Sequence, residues 1–323
     1  MTPAIVKPSV TIPWVESPFF EEELAKAQLD AQTEAMVRSY ADDGYLIFDP
    51  GIDENVIDAA REDLIPKFGS GVRLQDAWQT DEPVRQIATA PKVLDTLRFL
   101  YRREPIPFQT LNFNVGTQQR THSDTIHFDS IPQRFMCGVW VALEEVHEGN
   151  GPLHYYTGSH KFPIYNLVDM GLKGSAAQSM EETYGVVYKS YEDFIEAFIK
   201  ARKLKKDTLR MKKGQAIIWS ANLLHGGERI TQPGSTRHSQ VTHYYFEDCA
   251  YYTPLLSDMV IERIYLRKIT NIATGQPVVN RYMNEEIKQE NQGYSQKMYL
   301  PAVLGSLLPK SLKGTIKRLI GRK

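Results

Sequence analysis

The sequence predicts a mainly β protein with flanking helices, its core a double-sheet sandwich or jelly roll within a single domain. Three observations lead there. After Pro107 the chain turns to short runs rich in aromatic and β-branched residues, at 108–115 (FQTLNFNV), 124–129, 135–143, 152–157, 215–219 and 238–246, each of strand length. Turn residues such as Gly149-Asn150-Gly151-Pro152 and Gly158-Ser159-His160 punctuate them, as in proteins of many short strands. Helix formers are concentrated before Pro107 and in one later interval, so the helices flank the strands instead of alternating with them.

In chain order, residues 1–20 hold Pro3, Pro8, Pro13 and Pro18 and read as an irregular arm over the body. Phe20 to Ala41 reads as one helix, stopped by Asp42-Asp43-Gly44. Tyr45–Phe48 (YLIF) is a short strand, followed by helices at 53–66, with Asp53 as N-cap, and at 91–102. The strand-rich part, 106–246, is interrupted at 172–207, where YEDFIEAFIKARKLKK is helical and basic. Residues 247–323 are a C-terminal extension with a basic tail, and no internal repeat is visible.

Composition excludes several classes. The formal net charge of −1 offers no basic field for nucleic acid. Cys137 and Cys249 are the only cysteines, which excludes a disulfide scaffold and fits a reducing compartment. The N-terminal residues lack a signal-peptide pattern, and no apolar run approaches the roughly 20 residues of a membrane span. A soluble, cytoplasmic protein is expected.

The segment Arg120 to Asp129, RTHSDTIHFD, carries the same pattern twice: His122-Ser-Asp124 and His127-Phe-Asp129. On an extended chain, residues i and i+2 share a side, so either pair can offer a metal two ligands. A third ligand is available in His225, which follows the apolar run AIIWSANLL and precedes Gly226-Gly227. Two imidazoles and one carboxylate on one face of iron, with open positions, form the facial triad of non-haem Fe(II) oxygenases. Such enzymes bind a dicarboxylic acid beside the metal, and its far carboxylate needs a cation. Arg237, twelve residues after His225, suits that task because its planar fork gives a carboxylate two hydrogen bonds. Arg229, four residues after His225, competes for the role but falls in the expected loop.

Over 42–246, and most sharply over 106–160 and 214–246, the chain resembles the phytanoyl-CoA dioxygenase-like family of Fe(II)/2-oxoglutarate-dependent oxygenases. The matching elements are HSD (122–124), GVWVALEEV (138–146), NGPLHYYTGSH (150–160), LLHGG (223–227) and GSTR (234–237). The resemblance implies a double-stranded β-helix of the jelly-roll, cupin-like kind, iron held by His-x-Asp and the distal His, and 2-oxoglutarate held by the Arg after it. It also chooses between the two pairs. In the family a Trp stands about eighteen residues beyond the first metal His, with a proline between. Trp140 is eighteen residues from His122, with Pro132 between, and only thirteen from His127. His122, Asp124 and His225 are therefore the expected metal and catalytic residues. Trp140 and Gln109 match family positions beside the cosubstrate, with Asn112 competing with Gln109.

The remaining features are read more plainly. His127 and Asp129 either face the substrate opening or form an exposed strand end. His160 belongs to a turn, His238 and His243 are satisfied strand residues, and His147 and His154 have no clear partner. Glu144 and Glu145 point to opposite faces of a strand. Residues 73–79 (RLQDAWQ) can fold over the site, with Trp78 packing. The tail 310–323 carries six cations and no acids, with Leu312, Ile316, Leu319 and Ile320 at helical spacing. It permits contact with an anionic membrane surface or an acidic partner, although Gly314 and Gly321 weaken so short a helix.

The expected activity is hydroxylation of an unactivated C–H bond of a small metabolite or biosynthetic intermediate, using O2 and releasing succinate and CO2. Halogenation is disfavoured because Asp124 occupies the position a halide would take. The alternative is a catalytically silent β-helix binding or regulatory protein, whose mark would be a lost ligand or a lost Arg.

Overall fold

The computed structural model describes residues 11–174, 180–261 and 263–287. The basic tail, 310–323, lies outside the described residues. The helices come first: α1 (Phe20–Ala27), α2 (Ala31–Asp43), α3 (Glu54–Leu64), α4 (Glu82–Ala88) and α5 (Pro91–Tyr101). The single helix expected from 20 to 41 is two. Gln28 adopts φ 49°, ending α1, and Asp30 starts α2 by accepting hydrogen bonds from the backbone N–H groups of Gln32 and Thr33. Gly44 ends α2 at φ 82°, a conformation that glycine adopts at little cost. A Cβ there would also fall 2.3 Å from His160 Nδ1. His160 Nε2 bonds the Ala41 carbonyl, so His160 has the turn-packing role expected of it.

The strands that build the sandwich are β1 (Tyr45–Phe48), β2 (Arg73–Gln75), β3 (Pro105–Phe113), β4 (Asp129–Ile131), β5 (Met136–Ala142), β6 (Leu153–Tyr155), β7 (Asp207–Thr208), β8 (Ala216–Ser220), β9 (His225–Gly227), β10 (Ser239–Phe246) and β11 (Ala250–Tyr252). A six-stranded sheet runs β1-β8-β5-β10-β3-β2, all antiparallel. Facing it are the smaller sheet β7-β6-β9 and the pair β11-β4, completing a double-stranded β-helix. One face of the large sheet packs on the N-terminal helices through Val37, Tyr40, Leu97, Leu100, Val139 and Ile218. Truncating such a buried residue, Leu97→Ala for example, costs about 2–5 kcal/mol. The other face, with Phe113, Trp140, Ile217, Trp219 and Val241, closes on Tyr155, Leu209 and Leu223.

Four local outcomes differ from the sequence reading. The strand expected at 124–129 is a 3-10 turn at Asp124–Ile126, and the strand begins only at Asp129. Ser123 caps that turn, its Oγ accepting from Thr125 N–H, which is local polar chemistry that a strand pattern hides. Helix α4, capped by Asp81, appears where no helix was expected. Strand pairing continues past 246, since β11 pairs with β4. The insert is helical as expected, with α6 (Met180–Glu182) running through a π-helical stretch, Thr183–Tyr188, into α7 (Lys189–Arg202). However, α7 presents Glu192, Asp193 and Glu196 to Arg120, so its charge is not simply basic. Among the described residues no helix is long and apolar enough to cross a membrane.

Candidate metal centre

His122 and His225 come from segments a hundred residues apart, yet each donates its backbone N–H to the other's carbonyl at 2.9 Å. Ser123 is extended (φ −110°, ψ 141°), so Asp124 lies on the same side as His122 even though the strand stops there. The three side chains converge, with one donor atom from each lying within 4.8 Å of the others, all buried. Asp124 Oδ1 is 3.7 Å from His122 Nε2 and 3.8 Å from His225 Nε2.

The hydrogen bonds around the ligands set their tautomers. His122 Nδ1 lies 2.9 Å from the Arg120 carbonyl and His225 Nδ1 3.0 Å from the Leu223 carbonyl. A carbonyl only accepts, so each Nδ1 carries the proton and each Nε2 keeps a lone pair for a metal. Gln119 Nε2 sits 3.3 Å from His122 Nε2. Burial, then neighbouring His225, lowers the His122 imidazole to about 3. Burial works to raise the Asp124 carboxyl, but His225, His243 and His122 and the Trp219 bond hold it down at about 2. A carboxylate and two neutral imidazoles are the protonation states a divalent metal requires.

The cluster is held from outside. Ser123 Oγ donates to the Ala221 carbonyl at 3.0 Å, tying the ligand loop to the end of β8. Tyr191 of α7 accepts from Ser123 N–H through its hydroxyl. Arg120 spans Glu192, Asp193 and Glu196 of the same helix.

The residues expected beside the cosubstrate share the inner face of the large sheet. Register places Tyr45, Trp219, Gly138, His243 and Gln109 in one row, and Ile217, Trp140, Val241 and Leu111 in the next on that face. Asn112 is on the opposite face, where its amide donates to Gln240 and Gln240 in turn bonds the Val84 carbonyl of α4. Arg237 is 1% exposed, whereas Arg229 is exposed in its loop. Arg237 Nη1 donates to the Gly151 carbonyl at 2.8 Å, and its Cζ lies 5.4 Å from the Trp140 ring centroid. Burial lowers the guanidinium to about 10, with Glu144 opposing. Arg237 Nε and Trp140 Nε1 are buried donors with no partner among the described residues. Buried donors are rarely left so, and a bound carboxylate, an acceptor only, would satisfy both. Ser239 Oγ, also on the inner face, is likewise unpartnered among the described residues.

Other histidines and acids separate. His127 is half-buried with its ring 4.8 Å from Tyr188. Asp129 is fully buried, not an exposed strand end, and accepts from Tyr252 Oη. Burial raises its carboxyl to about 6. His154 Nε2 hydrogen-bonds Thr121 Oγ1, and its Nδ1 lies 2.8 Å from Glu228 Oε1. His147 Nδ1 accepts from Gly149 N–H within its turn. Trp78 is half-buried and bonds Asp76. The sequence reading missed Trp219, whose indole donates to Asp124 Oδ2 at 2.8 Å. It also misplaced His243, whose Nδ1 has no partner among the described residues and whose Nε2 lies 3.9 Å from Asp124 Oδ2. The available signal was strand parity: alternation from Ser239 through Val241 puts His243 on the inner face of β10.

A double-stranded β-helix with two histidines and a carboxylate in its mouth defines a metalloprotein of the facial-triad class. The phytanoyl-CoA dioxygenase (PhyH) family model matches residues 52–239, and the chain belongs to that family. It is 26% identical over 196 residues to phytanoyl-CoA dioxygenase domain-containing protein 1 of Danio rerio, a match that spans 59% of this chain and 62% of that one. The fold is similar to that of the epimerase SnoN, solved with Fe3+, alpha ketoglutarate and nogalamycin RO (TM-score 0.54, 18% identity, 77% of this chain and 96% of that one). It is also similar to EctD from S. alaskensis with bound Fe (TM-score 0.52, 17% identity, 70% and 80%).

Proposed function

We propose that this protein is an Fe(II)- and 2-oxoglutarate-dependent oxygenase that hydroxylates a C–H bond of a small molecule. The observation that carries the reading is the convergence of His122, Asp124 and His225 with both Nδ1 atoms committed to backbone carbonyls. When bound, iron, 2-oxoglutarate and O2 supply the oxidising chemistry, with succinate and CO2 as coproducts. The protein's own residues bind, orient and exclude water. His122 and His225 offer Nε2 atoms, and Asp124 offers Oδ1 while Trp219 engages Oδ2. Arg237 receives the far carboxylate of 2-oxoglutarate, and Trp140 and Gln109 line the same face. Asp124 keeps a carboxylate where a halogenase would need space for halide, which favours an oxygen-inserting outcome. The buried free thiols of Cys137 and Cys249 suit a reducing cytoplasm.

Succinate release from 2-oxoglutarate across a metabolite panel, with mass spectrometry of any product, tests the reading. Metabolite-stimulated succinate and a product heavier by one oxygen are expected. Iron bound without any 2-oxoglutarate binding or turnover would instead identify a silent β-helix protein.

A further inference from the structure

The mouth above the metal cluster is aromatic and carries cations. Phe128 lies with its ring 4.8 Å from that of His243, and His243 Nε2 is 3.9 Å from Asp124 Oδ2. On the outer side of Phe128 stands Arg267, its Cζ 4.6 Å from the Phe128 ring centroid and 5.6 Å from that of Phe108. One aromatic ring and one imidazole therefore separate this guanidinium from the metal-binding carboxylate. Arg267 is half-buried, Nη1 donates to Thr253 Oγ1 at 2.9 Å, and Nε is buried without a partner among the described residues. Its backbone is pinned, N–H to the Tyr251 carbonyl and C=O to the Asn280 amide, so the side chain projects from a fixed point. Arg73, at the exposed edge strand β2, shares the inner-face row of Phe113 and Ser239.

Arg267 differs in its partners from several other arginines of the described residues. Arg38, Arg98, Arg102, Arg120 and Arg134 each meet a carboxylate, whereas the Arg267 side chain bonds only a hydroxyl among the described residues. A half-desolvated cation without a counter-charge is costly unless something anionic arrives. The opposite rim supplies further polar atoms: His127, Tyr188 Oη and Gln119, which lies 3.5 Å from that hydroxyl. Arg267 also lies beyond residues 52–239, the span matched by the family model.

We propose that the substrate carries an anionic group, a carboxylate or a phosphate monoester, received by Arg267 with Arg73 at the rim. The rest of the molecule then lies against Phe128, His127 and Tyr188 with its reacting carbon towards the metal. A planar fork stacked on aromatic rings is suited to either anion. The assignment of the anion as substrate rests on the oxygenase reading; the anion site itself does not.

The test uses the full-length protein, alone and loaded anaerobically with Fe(II) and 2-oxoglutarate. Calorimetric titration compares phenylacetate with phenylacetamide, and phenyl phosphate with phenol, in wild type, Arg267→Gln, Arg267→Lys and Arg73→Gln. In wild type at least one anion should bind about tenfold or more tighter than its neutral counterpart, as for a lost charge-assisted bond. The preference should collapse in Arg267→Gln, persist in part in Arg267→Lys and weaken in Arg73→Gln. Whether phenylacetate or phenyl phosphate shows it identifies the anion. No anion preference in wild type, including no binding of any probe, overturns the proposal, as does a preference that survives Arg267→Gln. Should Arg267→Gln unfold, Arg73→Gln, at an exposed position, must still weaken the preference, and full retention there counts against the site. Failure of 2-oxoglutarate to bind the Fe(II) protein would remove the oxygenase reading alone, because the anion preference is read on the protein without it.

Discussion

Trp219 divides the Asp124 carboxylate between two tasks. Its indole N–H holds Oδ2 at 2.8 Å, while Oδ1 faces His122 and His225. The indole reaches that point because residue 138 is glycine: a Cβ there would fall 2.4 Å from the Trp219 ring. Trp219→Phe removes the bond and leaves the carboxylate free to rotate. Loss of such an outer partner typically costs about 10–100-fold in metal affinity. Gly138→Ala should produce the same loss indirectly by displacing the ring. Anaerobic Fe(II) titration checks both, and unchanged affinity in Trp219→Phe would remove it as a positioning residue.

The two His-x-Asp pairs should separate cleanly. His122→Ala, Asp124→Ala and His225→Ala should each lose stoichiometric Fe(II), while His127→Ala and Asp129→Asn retain it. His127 stands beside Tyr188, and Asp129 is occupied by Tyr252. Retained iron in His122→Ala with loss in His127→Ala would reverse the assignment.

Arg237→Ala should weaken 2-oxoglutarate binding by about one to two orders of magnitude, from the roughly 1.5–3 kcal/mol of a hydrogen bond to a charged group. Arg237→Lys, which keeps charge without the fork, should fall between. Arg229→Ala should bind like wild type, since that side chain is exposed in its loop. The visible charge-transfer band of the anaerobic Fe(II) protein, followed during 2-oxoglutarate titration, reports all three.

Stability of the metal-free protein should fall as pH drops from about 6.5 towards 4. Burial lowers His127 to about 4, and lowers His154 and His160 as well. Below their ordinary value near 6.5 the unfolded chain takes protons that the folded protein refuses, so folding loses ground. Asp129 works the other way. Burial raises it to about 6, so the folded state binds its proton more tightly and gains between pH 6 and 4. Asp129→Asn should therefore steepen the acid loss. Denaturant unfolding at pH 7, 6, 5 and 4 measures this, and a flat wild-type profile would contradict it.

What the sequence showed and what it hid follow from range. HSD at 122–124, LLHGG at 223–227 and Arg237 carry their chemistry in residue type and spacing, so the cluster and the family were legible without coordinates. The break at Gln28 was not, because a left-handed residue inside a run of helix formers leaves no compositional mark. The turn at Asp124–Ile126 depends on Ser123 capping, and that competes locally with the strand pattern. Trp219 looks like an ordinary apolar strand residue in AIIWS. Its role appears only when β5 and β8 are set in register, with glycine opposite the indole. Asn112 and Gln109 stand three residues apart in regular register on β3, so they face opposite sides of the sheet.

The paired backbone bonds between His122 and His225 make the ligand set a property of closure. Neither segment alone presents more than part of it, and the two meet only when their sheets are in place. An unfolded chain offers a metal scattered donors with no common geometry. A metal held by these three residues would therefore act as a latch on the finished sandwich, its occupancy and the chain's resistance to unfolding rising together. At a free metal concentration a hundredfold above the dissociation constant, that linkage adds about 2.7 kcal/mol. In a cell poor in iron, the same protein would be not merely idle but shorter-lived.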